Sequence, residues 1–176
     1  TLEVLKASED RVTPRCQHFG VCAGCVLQHL AEEKQIEAKQ QVLIENLARI
    51  GHVEADTVLP PMIGANWGYR RKGRLSVRHV EKKGKTLVGF REIDARFVAD
   101  LAECHTVIPE LGTRLPELSA LIDSLDAKRT IAQIEFIAGD GPVALVFRNL
   151  ETLSENDTEK LKQFAIDTGF AVYLQP

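Results

Sequence analysis

Tyr69-Arg-Arg-Lys72-Gly-Arg74-Leu-Ser-Val-Arg78-His-Val80-Glu-Lys-Lys-Gly84-Lys85-Thr-Leu-Val-Gly-Phe90-Arg91 is the stretch that decides the fold. Side chains alternate across a strand, so its first half puts Arg70, Lys72, Arg74, Ser76 and Arg78 on one side. Arg71, Gly73, Leu75 and Val77 fall on the other. Lys82-Lys83-Gly84-Lys85 reads as a turn, and Thr86 to Arg91 returns as a second strand.

Working outward, a third short run, Arg96 to Leu101, is expected to be a strand. Leu111 to Leu125 has helical spacing at Leu115, Leu118, Leu121, Ile122 and Leu125. Ile131 to Ile137 and Val143 to Leu150 flank Gly139-Asp140-Gly141-Pro142, a hairpin signal. A last helix runs from Ser154 to Gly169, and Phe170 to Leu174 reads as a final strand. Hairpins with a few helices predict an α+β domain, an antiparallel sheet with flanking helices.

Towards the N-terminus, Leu27 to Ile50 reads as an amphipathic helix. Its apolar side holds Ile36, Val42, Leu43, Leu47 and Ile50, it is expected to face a core or, in a fragment, a missing domain, and Gly51 is its expected C-cap. Residues 1–15, with Leu2, Val4 and Leu5 apolar and Pro14 as a stop, read as a linker or the end of a preceding domain. The expected organisation is therefore 1–15 linker, 16–50 cysteine loop and amphipathic helix, and 51–176 central α+β domain. The lack of an initiator Met and the closing apolar run lead us to expect a piece of a longer protein.

The net charge of −3 conceals an asymmetry. Tyr69 to Arg96 carries ten Lys/Arg against three Asp/Glu, a balance of +7, which leaves −10 for the remainder. Cations at ~6.6 Å intervals along a strand suit the spacing of phosphates, and Trp67, Tyr69 and Phe90 are near enough in sequence to stack on unpaired bases. The competing reading is a solvated strand face whose charges protect a sheet edge. No apolar run approaches the ~20 residues that span a bilayer. No signal peptide is recognisable, so the expected compartment is the cytoplasm, where thiols stay reduced.

Three of the four cysteines crowd into Cys16-Gln-His-Phe-Gly-Val-Cys22-Ala-Gly-Cys25, and the fourth, Cys104, follows the basic region. Disulfides are rare in the cytosol. Zinc accepts four thiolates, but its ligands usually arrive as two short pairs. A local triplet plus one remote cysteine suits an iron–sulfur cluster better. Both metal readings stay open on spacing alone. His18, His29 and His105 lie nearby and are left out of the ligand set. Gly139-Asp140-Gly141-Pro142 precedes no helix, so it is no phosphate cradle, and with all four cysteines as ligands no thiol nucleophile remains. The residues by themselves describe a binding module with a metal staple; a stand-alone zinc-bearing nucleic-acid-binding module is the alternative to any enzyme.

Cys16 to Leu30, Trp67 to Ser76, Leu87 to Glu92 and Cys104 together resemble the iron–sulfur-containing RNA uracil-C5 methyltransferases, above all those making 5-methyluridine in 23S ribosomal RNA. The resemblance implies that Cys16, Cys22, Cys25 and Cys104 hold a [4Fe-4S] cluster. The basic hairpin is expected to contact RNA at Arg70, Arg71, Lys72, Arg74, Arg78, Lys85, Phe90 and Arg91, and the resemblance implies 23S ribosomal RNA as the partner. It also implies an RNA-binding barrel before this region and an S-adenosylmethionine-binding catalytic domain after it. In such an enzyme a cysteine thiolate attacks C6 of a flipped-out uracil, C5 is methylated, and a base removes the C5 proton. The residues for those steps match nothing in this chain, so none is carried over and the chain alone is expected to be inactive.

Overall fold

The computed structural model describes residues 3–176. Leu2, counted above among the apolar residues of the linker, lies outside them. The chain divides into two compact units, one of residues 1–19 and 25–65 and the other of residues 20–24 and 66–176.

The first unit is built on backbone pairing and one helix. Arg11 bridges Leu30, Val12 N–H donates to the His29 carbonyl at 3.0 Å, and Ala31 N–H donates to the Asp10 carbonyl at 2.9 Å. That pairing consumes the backbone of residues 29–31, so helix α1 begins at Glu32, five residues later than the periodicity suggests, and runs to Arg49. Glu32 and Glu33 stand in its first turn, where the helix dipole favours carboxylates. Gly51 lies past the helix end but does not take a left-handed conformation; His52 does, at φ 50°. Gly51 is needed for closeness instead, since a Cβ there would stand 2.8 Å from the Leu47 carbonyl oxygen. The expected core face of α1 is not found: none of its residues is buried, and Val42, Leu43 and Leu47 are exposed. Among the described residues, the unit has no second helix or sheet to cover the stripe.

The second unit carries the sheet. Strands β1 (Lys72–Val80), β2 (Lys85–Gly89), β3 (Ile131–Ile137), β4 (Ala144–Asn149) and β5 (Ala171–Gln175) lie in the order β2-β1-β3-β4-β5. The β1–β2 hairpin turns through a short 3-10 segment and Gly84, whose φ of 59° suits a residue without a Cβ. Pairs β1–β2, β1–β3 and β3–β4 are antiparallel, as expected, but β4 and β5 are parallel. A helix, α4 (Glu155–Thr168), separates those two strands, and a helical crossover returns the chain in the same direction. Ser154 caps α4 by accepting from Asp157 N–H at 3.1 Å, and Gly169 ends it at φ 73°. The expected helix over 111–125 is present as α2 (Pro109–Gly112) and α3 (Leu115–Ser124).

Arg96 to Leu101 is not a strand. Only Val98 bridges Arg91, and Ala99 N–H donates to the Phe90 carbonyl at 2.9 Å. A turn in which Phe97 N–H donates to the Asp94 carbonyl leads into this run, and Val98, Ala99 and Leu101 are buried.

One face of the sheet is covered. Leu75, Ile134, Phe136, Leu145 and Phe147 pack with Leu111, Leu115, Leu118, Ile122, Leu161 and Phe170 in a single core. Each fully buried side chain of this size contributes roughly 1.5–3 kcal/mol. The covering helices are also fastened by polar contacts. Ser119 of α3 donates to the Thr86 carbonyl of β2, and Thr86 Oγ1 donates to Asp123 of α3 at 2.9 Å. The opposite face of β1, with Lys72 and Arg74, is exposed.

Candidate nucleic-acid interface and cysteine site

The cysteines divide two and two between the units. In the first unit the loop at Cys16 is held by the Gln28 side chain, whose Oε1 accepts from Cys16 N–H at 3.0 Å. The rings of Phe19 and His29 meet at 5.6 Å. Cys25 lies in the same unit.

Cys22 and Cys104 belong to the second unit. Cys22 sits on a short arm that pairs with residues 91–93: it bridges Glu92, Ala23 N–H donates to the Arg91 carbonyl at 3.0 Å, and Ile93 N–H donates to the Val21 carbonyl at 2.9 Å. Gly24 N–H donates to Cys22 Sγ at 3.4 Å. A Cβ on Gly24 would stand 3.3 Å from that sulfur and 3.7 Å from the Phe90 ring, so a side chain there would need the sulfur to give by a few tenths of an ångström. Cys104 N–H donates to the Gly112 carbonyl at 2.8 Å, and its sulfur lies 3.3 Å from Thr106 Oγ1. Both sulfurs thus sit beside a hydrogen-bonding neighbour, and Cys22, Cys104 and Phe90 all pack against the sheet core.

All four residues are partly buried thiols and none forms a disulfide. As a donor set, four sulfurs fit an iron–sulfur cluster or zinc. Among the described residues, neither unit gathers three His, Cys, Asp or Glu side chains into a metal-holding group, since each contributes only two of the cysteines. His105 is engaged by Glu103 at 3.2 Å and by the edge of Trp67 at 6.0 Å.

The cations expected from the sequence take three different positions. Lys72, Arg74 and Arg78 stand on the open face of β1, as the alternation requires, with Arg74 Nε 4.0 Å from Glu135 of β3. Arg70 precedes the strand. Its backbone bridges Val107, its N–H donates to the Thr106 carbonyl at 2.8 Å, and its guanidinium lies over Phe90. Arg71, Lys85 and Arg91 are engaged elsewhere. Arg71 donates to the carbonyls of Ala138 and Gly139 in the β3–β4 turn. Lys85 pairs with Asp100 at 2.8 Å, and Arg91 donates to the Ala95 carbonyl at 3.4 Å.

Register extends the open face beyond the basic hairpin. Arg74 is opposite Glu135, Glu135 opposite Val146, and Val146 opposite Tyr173. Ser76 is opposite Gln133, Gln133 opposite Arg148, and Arg148 opposite Gln175. Sequence reading overlooked Arg148 and Tyr173, because one is the lone charged residue of β4 and the other the lone aromatic residue of β5. Alternation against Leu145 and Phe147 was the signal that could have placed Arg148 outward.

No family model matches the chain. It is 64% identical over 176 residues, all of this chain and 40% of the relative, to a 23S rRNA (uracil(1939)-C(5))-methyltransferase RlmD of Xanthomonas campestris pv. campestris. A protein of the same name from Stenotrophomonas maltophilia is 64% identical over 175 residues, or 99% of this chain and 39% of that one. Among solved structures, the Pyrococcus abyssi tRNA (uracil-54, C5)-methyltransferase in complex with S-adenosyl-L-homocysteine aligns with a TM-score of 0.58 and 24% identity, over 90% of this chain and 37% of that one. That likeness is one of fold. The chain spans about two-fifths of the length of the relatives it matches. Along its whole length the chain is similar to part of the RlmD 23S rRNA (uracil-C5)-methyltransferases.

Proposed function

We propose that this chain is the iron–sulfur and RNA-binding central region of an S-adenosylmethionine-dependent 23S rRNA uracil-C5 methyltransferase. The observation that carries the reading is 64% identity, without a break in coverage, to proteins named for that reaction. In this reading Cys16, Cys22, Cys25 and Cys104 hold a [4Fe-4S] cluster. The four-sulfur donor set and the close glycine at Cys22 support it. When bound, such a cluster supplies a rigid four-point link between distant segments, and its potential answers to hydrogen bonds at its sulfurs. Gly24 N–H and Thr106 Oγ1 are the groups of this chain beside Cys22 and Cys104.

The chain's own work is to bind and orient 23S ribosomal RNA. Lys72, Arg74 and Arg78 offer cations along one strand, and the remaining expected contacts, Arg70, Arg71, Lys85, Phe90 and Arg91, border it. The barrel and methyltransferase domains, with the S-adenosylmethionine site, belong to the rest of the parent enzyme, and the chain alone is inactive. Its compartment is the cytoplasm, where ribosomal RNA is modified. No helix among the described residues is long and apolar enough to cross a membrane.

Anaerobic purification tests the cluster. Brown protein with about four irons and four acid-labile sulfides per chain is expected; colourless protein with one zinc would instead make this a zinc-bearing module. For the RNA role, charge reversal at Lys72 and Arg74 should weaken binding of a 23S rRNA fragment and flatten its salt dependence.

A further inference from the structure

We infer that the RNA surface continues past the basic hairpin, across the open face of the sheet, to a base-stacking position at Tyr173 with Arg148 beside it. The inference rests on the RNA-binding reading above and adds to it a site on β4 and β5 for single-stranded RNA.

Three observations carry it. The first is placement. Arg148 and Tyr173 share the open face with Arg74, and Arg148 pairs with Gln175, two residues beyond Tyr173, so the two positions are one strand across and two residues along, about 8 Å apart. From Arg74 to Tyr173 is three strand spacings, about 14 Å. The second is exposure. Tyr173 is 56% exposed on the edge strand β5, and Ile137 on the same face is 40% exposed. A tyrosine ring laid open on the sheet face is a stacking surface in want of a flat partner.

The third is charge. The open-face positions of β1, β3, β4 and β5 carry Lys72, Arg74, Arg78 and Arg148, against Glu135 as their one carboxylate among the described residues. In a chain of net charge −3 this selects a polyanion. Cations spaced along strands with an aromatic ring at their edge suit unpaired nucleotides: a base lies flat on the ring while the phosphates meet the guanidinium groups. A duplex hides the base faces and leaves the ring unused.

The test is fluorescence anisotropy of the 176-residue chain with a fluorescein-labelled single-stranded oligoribonucleotide, and with the same RNA annealed to its complement. Tyr173→Ala should weaken single-strand binding about 10-fold, whereas Tyr173→Phe, which keeps the ring, should bind as the wild type does. Arg148→Ala should reduce the salt slope by about 0.7. Loss of duplex binding by Tyr173→Ala equal to its loss of single-strand binding would overturn the stacking site. So would unchanged affinity in both variants while charge reversal at Lys72 and Arg74 abolishes binding. That second result would leave the RNA-binding reading intact and assign β4 and β5 to packing against protein. A wild-type chain that binds neither RNA would overturn both.

Discussion

The guanidinium of Arg70 lies 4.9 Å above the centroid of the Phe90 ring, and the same ring packs against the sheet core 3.7 Å from where a Cβ on Gly24 of the cysteine arm would stand. Phe90 therefore links the cysteine arm to the entry of the basic strand. Gly73 leaves room for this arrangement, since its Cβ position is 3.3 Å from Arg70 Nε.

Replacing Arg70 by Lys keeps the charge but loses the planar group that stacks on the ring. It should destabilise the chain by about 0.5–1 kcal/mol. Phe90→Ala removes both the stack and the packing, and because the ring is only partly buried its cost should fall near 2 kcal/mol, short of the ~3–5 of a fully buried phenylalanine. Urea unfolding of the three proteins checks both values, and equal midpoints for Arg70→Lys and wild type would deny the stack any energetic role.

Gly73 and Gly141 should respond oppositely to a single methyl group. A Cβ at Gly73 would stand 2.8 Å from two carbons of the Phe136 ring, which is fully buried and has nowhere to move. Gly73→Ala should cost about 1–3 kcal/mol. At Gly141, in the β3–β4 turn, nothing lies within 4 Å of the added carbon and φ is not left-handed. Gly141→Ala should therefore be near neutral, or gain a few tenths of a kcal/mol through the unfolded chain. Trimming Phe136 to Leu in the Gly73→Ala background should recover part of the loss, which separates crowding from a backbone effect.

The contrast between what could and could not be read from residues follows the range of the interaction. The β1–β2 hairpin was legible because alternation and Gly84 are local, and α4 because Ser154 and Gly169 cap it from within a few positions. The parallel pairing of β5 was not, since direction depends on a crossover and no residue of Ala171–Gln175 encodes it. The late start of α1 depends on residues 10–12 capturing residues 29–31, nearly twenty positions away. The cysteines were visible as chemistry at once. That residues 20–24 join the second unit, by pairing with residues 91–93, has no signature in the loop itself.

Asp157 is a buried carboxylate with a structural task. It is fully buried at the start of α4, where its two oxygens accept from Asp126 N–H at 2.8 Å and Ala127 N–H at 2.9 Å. It thereby ties the turn after α3 to the helix that leads into β5. Asp157→Ala should leave both amides without their acceptor and cost about 2–3 kcal/mol, and Asp157→Asn, which keeps one good acceptor, should cost less. Native-state hydrogen exchange at Asp126 and Ala127 should accelerate in both variants. Unchanged exchange would mean the amides find water at no penalty.

Glu81 and Arg129 give the β1–β2 turn a pH-dependent clasp. Two guanidinium nitrogens of Arg129 donate to one oxygen of Glu81, Nε at 2.8 Å, while His79 Nε2 lies 3.6 Å from the other oxygen. The hydrogen bond from Arg129, reinforced by its charge, holds the Glu81 carboxyl below its ordinary value of 4.5. Because the folded state binds this proton less readily than the unfolded chain does, the clasp contributes stability above pH 4.5, and the contribution is lost as pH falls through the lowered folded value. The pair is exposed to solvent, so the effect on the unfolding midpoint should be small and should shrink further in high salt. The titration itself is the sharper readout. Carbon-detected NMR should find the Glu81 carboxyl titrating below 4.5, and Arg129→Gln should bring it up towards that value. A Glu81 titration unmoved by Arg129→Gln would mean the clasp is not closed in solution.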